Sequence, residues 1–118
     1  MIAVIFEVEP AEGQRQAYLD LAAALRPQLD KMDGFISVER FQSITDPGKM
    51  LSLSFWRDEA AVRAWRMHAA HRTTQAKGRA GIFKGYRLRI AEVARDYGMH
   101  ERREQAPDDS RSAHEQRG

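Results

Sequence analysis

Two histidines three residues apart, His68 and His71, are the side chains in this sequence best suited to acid–base chemistry. A neutral imidazole near pH 7 can take a proton from a phenol or an enol and return it later. Both follow Trp65 in a Trp-x-x-His-x-x-His pattern, and they share one side of a helix only if it continues unbroken through both. We predict His68 and His71 as candidate catalytic residues. The structural alternative is a helix end, where one imidazole caps carbonyl groups and the other is solvated.

Several other kinds of site are excluded by the sequence. It contains no cysteine, so disulfides, thiolate nucleophiles and cysteine-based zinc sites are ruled out. No third ligand stands at a suitable spacing from the two histidines, and we therefore predict no metal site. The Gly-Arg-Ala-Gly segment at residues 78–81 lacks the Lys-Ser/Thr pair of a phosphate-binding loop.

The composition is typical of one globular domain. The chain has 118 residues, of which 42% are hydrophobic and 31% charged, with a net charge of +2. This small positive excess does not predict a nucleic-acid partner, and we interpret the basic residues of the second half as solvated surface. The N-terminus lacks a signal-peptide pattern, and no apolar run approaches the roughly 20 residues of a membrane span. We expect a cytoplasmic protein without a membrane segment.

The elements that must position the histidines follow from alternation and helical spacing, in the order βαββαβ. Strands are expected at residues 2–10, 35–42, 50–56 and 82–95, and helices at 14–32, from Asp58 as a capping residue onward, and over 70–79. This order favours an α+β, ferredoxin-like sandwich: a four-stranded antiparallel sheet with both helices on one face. Residues 1–98 form this domain. Residues 99–118 have almost nothing to bury and are expected to be a charged, disordered tail.

Three finer expectations concern packing. Pro27 should kink the first helix or split off its last turn. In the second strand, Ile36 and Val38 should lie on one face, with Phe35 and Phe41 on the other. Because the sheet face without helices also carries apolar residues, we expect a homodimer that covers it.

Four segments combine Gly-Phe, Phe-Trp and Trp-x-x-His-x-x-His spacings. They lie at residues 34–41 (Gly-Phe-Ile-Ser-Val-Glu-Arg-Phe), 53–60 (Leu-Ser-Phe-Trp-Arg-Asp-Glu-Ala), 65–71 (Trp-Arg-Met-His-Ala-Ala-His) and 86–98. Together they resemble the antibiotic biosynthesis monooxygenase superfamily over residues 1–98. The resemblance implies a dimeric α+β barrel with a pocket between helices and sheet, lined by strand one, strand three and helix two. Members include small monooxygenases that oxidise phenols and anthrones without a metal or flavin.

On this resemblance, the candidate substrate-binding residues are Phe6, Phe55, Trp65 and Tyr86. Core packing is the structural alternative for Trp65, because a Trp on the apolar stripe of a helix is what packing needs. Tyr86 could line either the pocket or the dimer interface. We predict a cofactor-independent monooxygenase acting on an aromatic phenol, anthrone or quinol.

A haem-degrading branch of the same superfamily supplies the alternative. Ala70-His71-Arg72 resembles the Ala-His-Lys segment that carries the proximal histidine of that branch, which implies haem binding by His71. That branch has an Asn in strand one where this sequence has Phe6, so the resemblance does not extend to haem oxygenation. The alternative is therefore a haem-binding or small-ligand-binding protein without oxygenase turnover. A third hypothesis is an interaction protein that uses its dimer and tail.

Overall fold

A computed structural model describes residues 1–68, 73, 76 and 81–107 of the chain. The elements are β1 (Ile2–Pro10), α1 (Arg15–Leu29), β2 (Phe35–Gln42), β3 (Met50–Trp56), α2 (Glu59–Met67), β4 (Phe83–Glu92) and a 3-10 turn (Arg103–Gln105). The four strands form one sheet in the order β2-β3-β1-β4, with each neighbouring pair antiparallel. The predicted ferredoxin-like fold is confirmed. None of the helices in the described ranges is long and apolar enough to cross a membrane.

The strand register arranges side chains in rows across the sheet. Phe6 of β1 pairs with Ser52 of β3 and Leu88 of β4, and Ser52 pairs in turn with Arg40 of β2. The adjacent row consists of Val38, Ser54, Val4 and Ile90. Because side chains alternate along a strand, residues two apart share a face. Both rows therefore lie on the same face of the sheet.

The helices pack on this face and bury two apolar clusters. In the larger cluster, Ile2 and Trp56 of the sheet contact Leu29 of α1 and Val62 and Trp65 of α2. The smaller one brings together Val8, Tyr18 and Met50 at the other end of the sheet. Trp56 and Val8 are the largest fully buried side chains, at 2% and 0% exposure. At about 25 cal/mol per Å² of buried apolar surface, such clusters supply the main stabilisation of a small domain.

The first helix ends earlier than the predicted residue 32, at Leu29. Pro27 lies in its last turn and has no N–H to continue the i−4 ladder. After the helix, the hydrogen bonds span three residues instead of four: Lys31 N–H donates to Gln28 O at 3.2 Å, and Met32 N–H donates to Leu29 O at 3.0 Å.

The predicted facing of the second strand is wrong at its start. Phe35 pairs with Trp56 and Ser37 pairs with Phe55, so the register shifts between them and Ile36 is the extra residue. A bulge of this kind resets the alternation of the strand. Phe35 and Val38 consequently pack against the same core cluster, and Ile36 is 53% exposed.

The last strand is shorter than predicted and ends at Glu92 rather than residue 95. Its partner strand starts there: Glu92 pairs with Ile2, and Val93 N–H donates to Met1 O at 3.0 Å. Within the predicted tail, residues 99–107 carry the 3-10 turn, and Ala106 is buried. Residues 108–118 and most of the predicted 70–79 helix lie outside the described residues.

Candidate functional site

A cavity of about 250 Å³ lies between α1 and the sheet face that the helices cover. Its floor is made by the two side-chain rows defined above. Tyr18, Ala22 and Leu25 of α1 line it from above, and Trp65 of α2 contributes one wall. The volume is slightly below the roughly 300–1,000 Å³ of typical ligand pockets, and it therefore suits a small organic molecule.

Four aromatic rings form one end of this cavity. Phe6 contacts Tyr86 with ring centroids 5.5 Å apart and Phe83 at 5.9 Å, and Phe83 contacts Tyr18 at 5.7 Å. The interplanar angles of 63–72° are edge-to-face, the geometry that aromatic quadrupoles favour. Tyr86 remains 60% exposed, so this cluster, hereafter the aromatic cluster, reaches from the cavity to solvent.

The floor of the cavity becomes polar toward β2 and β3. The Nε–H of Arg40 donates to the Tyr18 hydroxyl at 3.3 Å, and the guanidinium carbon lies 5.8 Å from the centroid of the same ring. Ser52 and Ser54 are its neighbours on β3, and the Ser54 hydroxyl accepts from Trp56 Nε1 at 2.9 Å. Sequence reasoning missed Arg40, although its position two residues after Val38 would have placed it on the same face.

A charged network fixes the start of α2 and thereby the position of Trp65. The Asp58 carboxylate accepts from the Ala61 N–H at 2.9 Å, which confirms the predicted cap. Arg57 binds both carboxylate oxygens of Asp33, at 3.1 and 3.0 Å. The Ala61 N–H and then Arg57 lower the pKa of Asp58, and the hydrogen bonds and charge of Arg57 lower the pKa of Asp33. Hydrogen bonds to the charged form of a carboxyl have this effect.

His68 is the C-cap residue of α2, so the condition that one helix continue unbroken through both histidines is not met at His68. Its backbone is extended, with φ −64° and ψ 135°. Its ring stacks on Trp65 with centroids 5.6 Å apart, and its buried Nδ1 has no hydrogen-bond partner among the described residues. His68 does not line the cavity, whereas Trp65 does. His71 lies outside the described residues.

The predicted substrate-binding residues divide between the two faces of the sheet. Phe6, Trp65 and Tyr86 line the cavity. Phe55 pairs with Ala3 and lies between the inward-facing Ser54 and Trp56, so alternation places it on the opposite face, away from this cavity. Within the described part of the chain, no group of three or more His, Cys, Asp or Glu side chains could hold a metal ion.

Comparison with known proteins agrees with this architecture. A model of the family described as antibiotic biosynthesis monooxygenase matches residues 1–77. The chain is 48% identical over 93 residues to the jasmonate monooxygenase ABM of Pyricularia oryzae. The match covers 79% of this chain and 43% of that protein, so the chain spans less than half of its length.

Among solved structures, Rv0793 from Mycobacterium tuberculosis superposes with a TM-score of 0.73 at 18% identity, covering 82% of this chain and 98% of that one. A Deinococcus radiodurans protein assigned to the same monooxygenases gives a TM-score of 0.74 at 10% identity, with 83% and 97% covered.

Proposed function

Since the chain belongs to the antibiotic biosynthesis monooxygenase family, we propose that it is a cofactor-independent monooxygenase. Its substrate would be an aromatic small molecule of the phenol, anthrone or quinol type, bound in the cavity between α1 and the sheet. The observation that carries this proposal is the aromatic cluster together with Trp65, which place five aromatic rings at one end and one wall of a cavity of about 250 Å³.

The proposed reaction needs no electron donor other than the substrate. A base removes a proton from the activated C–H or O–H group, and the resulting anion reduces O₂ to a substrate peroxide. Loss of water from the peroxide leaves one oxygen atom in the product as a carbonyl. For anthrone, C₁₄H₁₀O and O₂ thus give anthraquinone, C₁₄H₈O₂, and H₂O. Enclosure by apolar walls supports this chemistry because it limits side reactions of the anion with water.

We assign the proton transfer to His68 and His71, as the sequence predicts. Two observations support His68. Its ring stacks on Trp65, which forms a wall of the cavity. Its buried Nδ1 has no hydrogen-bond partner among the described residues. Imidazole is matched to this task at neutral pH. In this conformation the ring does not line the cavity, so a proton would reach it past the edge of Trp65 or after rotation of the His68 side chain.

Oxygen uptake tests the proposal directly. Purified protein is mixed with anthrones, naphthols and quinols, and uptake is compared with buffer alone. Protein-dependent uptake with at least one aromatic compound is expected, and a His68→Ala/His71→Ala variant should lose it. Absence of protein-dependent uptake across the panel would refute the proposal, and undiminished uptake by the double variant would remove both histidines from the mechanism.

Jasmonate belongs in the same panel as the competing substrate. The Pyricularia oryzae relative is named for it, and jasmonate is a carboxylic acid built on a cyclopentanone rather than an aromatic ring. Turnover of jasmonate, but of no aromatic compound, would support the proposed monooxygenase reaction. It would refute the proposal that the substrate is aromatic.

A homodimer through the sheet face without helices remains part of the proposal. Alternation places Ile5, Leu51, Leu53 and Phe55 on that face, and an apolar surface of this kind favours association. Leu53 pairs with Ile5 near its centre. We expect Leu53→Glu to convert the protein to monomers in sedimentation experiments, and a monomeric wild-type protein would refute the interface.

A further inference from the structure

We propose that the cavity is built for an organic acid, with the ligand carboxylate on Arg40 and its apolar ring body on the aromatic cluster. The inference rests on the proposed function only in taking this cavity as the substrate site. It adds the substrate class: a ring compound that carries a carboxylate in addition to the position that is oxidised.

The first observation is that Arg40 has no acidic partner. It is partly buried and lines the cavity, yet none of the salt bridges between described residues includes it, and no Asp or Glu of those ranges lines the cavity. Arg57 and Arg89, by contrast, are paired with Asp33 and Glu7. Arg40 therefore has no counter-ion among the described residues, and a bound anion would supply one.

The second observation is how Arg40 is held. Its Nε–H donates to the Tyr18 hydroxyl at 3.3 Å, and its guanidinium carbon lies 5.8 Å from the centroid of the Tyr18 ring. The two terminal amino groups have no hydrogen-bond partner among the described residues. They form the fork that binds a carboxylate through two parallel hydrogen bonds. The hydroxyl of Ser52, the cross-strand neighbour of Arg40, is the nearest further donor along the row.

The third observation is the change in polarity across the cavity floor. The row runs from Arg40 and Ser52 to Phe6 and Leu88. Adjacent strands are about 4.8 Å apart, so β2 and β1 are separated by about 10 Å. This spacing separates the strand backbones, whereas the guanidinium carbon of Arg40 lies 5.8 Å from the Tyr18 ring of the aromatic cluster. An acid bound to Arg40 would therefore have its ring body directly beside that cluster. A neutral hydrocarbon would leave Arg40 unpaired, and a small inorganic anion would leave the aromatic cluster empty.

Equilibrium binding of matched probes tests this without turnover. Titration calorimetry or Trp fluorescence compares 2-naphthoate with its methyl ester, which has the same ring and no charge. Wild-type protein should bind the acid at least about tenfold more tightly than the ester, the factor expected for a charge-assisted pair. Jasmonate against methyl jasmonate is a second pair, which shows whether the ring must be aromatic.

Substitutions assign the preference to one residue. Arg40→Met keeps the aliphatic stem and should reduce the ratio of acid affinity to ester affinity to about one. Arg40→Lys should keep part of the acid preference, because it replaces the guanidinium fork with a point charge. Arg63→Gln removes an exposed charge of α2 that does not line the cavity and should leave the ratio unchanged. If Arg40→Met fails to fold, Arg40→Lys decides together with the salt dependence of the wild-type protein. The acid preference should fall in Arg40→Lys, and rising KCl should weaken acid binding to the wild-type protein and leave ester binding unchanged.

Equal wild-type affinity for acid and ester, or an acid preference that survives in Arg40→Met, would overturn the inference. The outcomes are separable from those of the proposed function. Acid binding through Arg40 without any oxygen uptake would refute the monooxygenase reaction alone. Turnover of neutral phenols by a protein without an acid preference would refute the role of Arg40 alone.

Discussion

The imidazole of His68 stacks on the indole of Trp65, with ring centroids 5.6 Å apart and an angle of 20° between the planes. Trp65 is buried and lines the cavity, whereas His68 begins the chain segment after α2. The buried Nδ1 of His68 has no hydrogen-bond partner among the described residues.

His68→Phe separates the chemical role of this residue from its packing role. Phenylalanine can keep the stack on Trp65 and removes a buried polar atom that lacks a partner, so the free energy of unfolding should stay the same or rise by up to about 2 kcal/mol. Oxygen uptake with an active phenol or anthrone should fall by about 10²- to 10⁴-fold if His68 is the base. Urea denaturation and oxygen-electrode rates measure the two effects. A destabilised variant with full activity would assign His68 to structure.

Ala22→Phe tests whether the cavity is the place of binding. Ala22 lines the cavity from α1, whereas its neighbour Ala23 is exposed. A ring at position 22 should fill the space and reduce the affinity for 2-naphthol at least tenfold, at an overpacking cost of about 1–3 kcal/mol. Ala23→Phe carries the same intrinsic helix penalty and serves as the control, with unchanged affinity expected. Equal binding by the two variants would place the ligand elsewhere.

Gly34 is the point at which β2 begins against the first turn of α2. It has φ +87°, and a Cβ built on it would lie 2.6 Å from the Ala61 Cβ. Gly13 also has a positive φ, of +76°, but has nothing within 4 Å of such a Cβ. Gly13→Ala should therefore cost about 1–2 kcal/mol of backbone strain. Gly34→Ala should cost a further 1–3 kcal/mol, roughly, from the steric clash. Denaturant titrations compare them, and equal losses would contradict the packing of α2 described above.

The network of Asp33, Arg57 and Asp58 predicts a loss of stability in acid. The pKa of each carboxyl is lowered in the folded protein, so its contribution is present above the unfolded-state pKa of about 4 and is lost as the pH falls through the lower folded-state value. Wild-type thermal midpoints should therefore drop between about pH 5 and about pH 2. Asp58→Asn keeps a cap acceptor without the titration, and its midpoint should drop less over this range.

An exposed carboxylate on α1 supplies the control for that experiment. Asp20→Asn should show the full wild-type acid dependence, because Asp20 accepts a hydrogen bond from neutral Gln16 rather than from Arg57. The role of Asp58 would be contradicted if Asp58→Asn and Asp20→Asn lost stability to the same extent on acidification.

Much of this fold follows from local pattern. The predicted bounds of β1 (Ile2–Pro10) and β3 (Met50–Trp56) agree with the structure, and Asp58 marks the start of α2 as a cap residue does. The register of β2 could not be predicted from alternation, because the extra residue Ile36 creates a bulge that depends on pairing with β3.

The cavity was less accessible to sequence reasoning. Phe55 was assigned to the pocket by family resemblance, although alternation with Trp56 places it on the opposite face. The pairing of Arg40 with Tyr18 joins β2 to α1 across 22 residues, and no local period reveals such a contact. The three-residue spacing of Trp65 and His68 is compatible with a helix through both, whereas α2 ends at Met67 and the backbone of His68 is extended.

Oxygen-isotope incorporation tests the proposed monooxygenase reaction most directly. Anthrone is incubated under ¹⁸O₂ with wild-type protein in buffer that contains a chelator and no added cofactor, and the anthraquinone is analysed by mass spectrometry. A cofactor-independent monooxygenase with its site in this cavity should give protein-dependent product that carries one ¹⁸O atom, formed more slowly by Ala22→Phe than by Ala23→Phe. Product without the label, or formation no faster than in the absence of protein, would contradict a cofactor-independent monooxygenase acting on an aromatic substrate in this cavity.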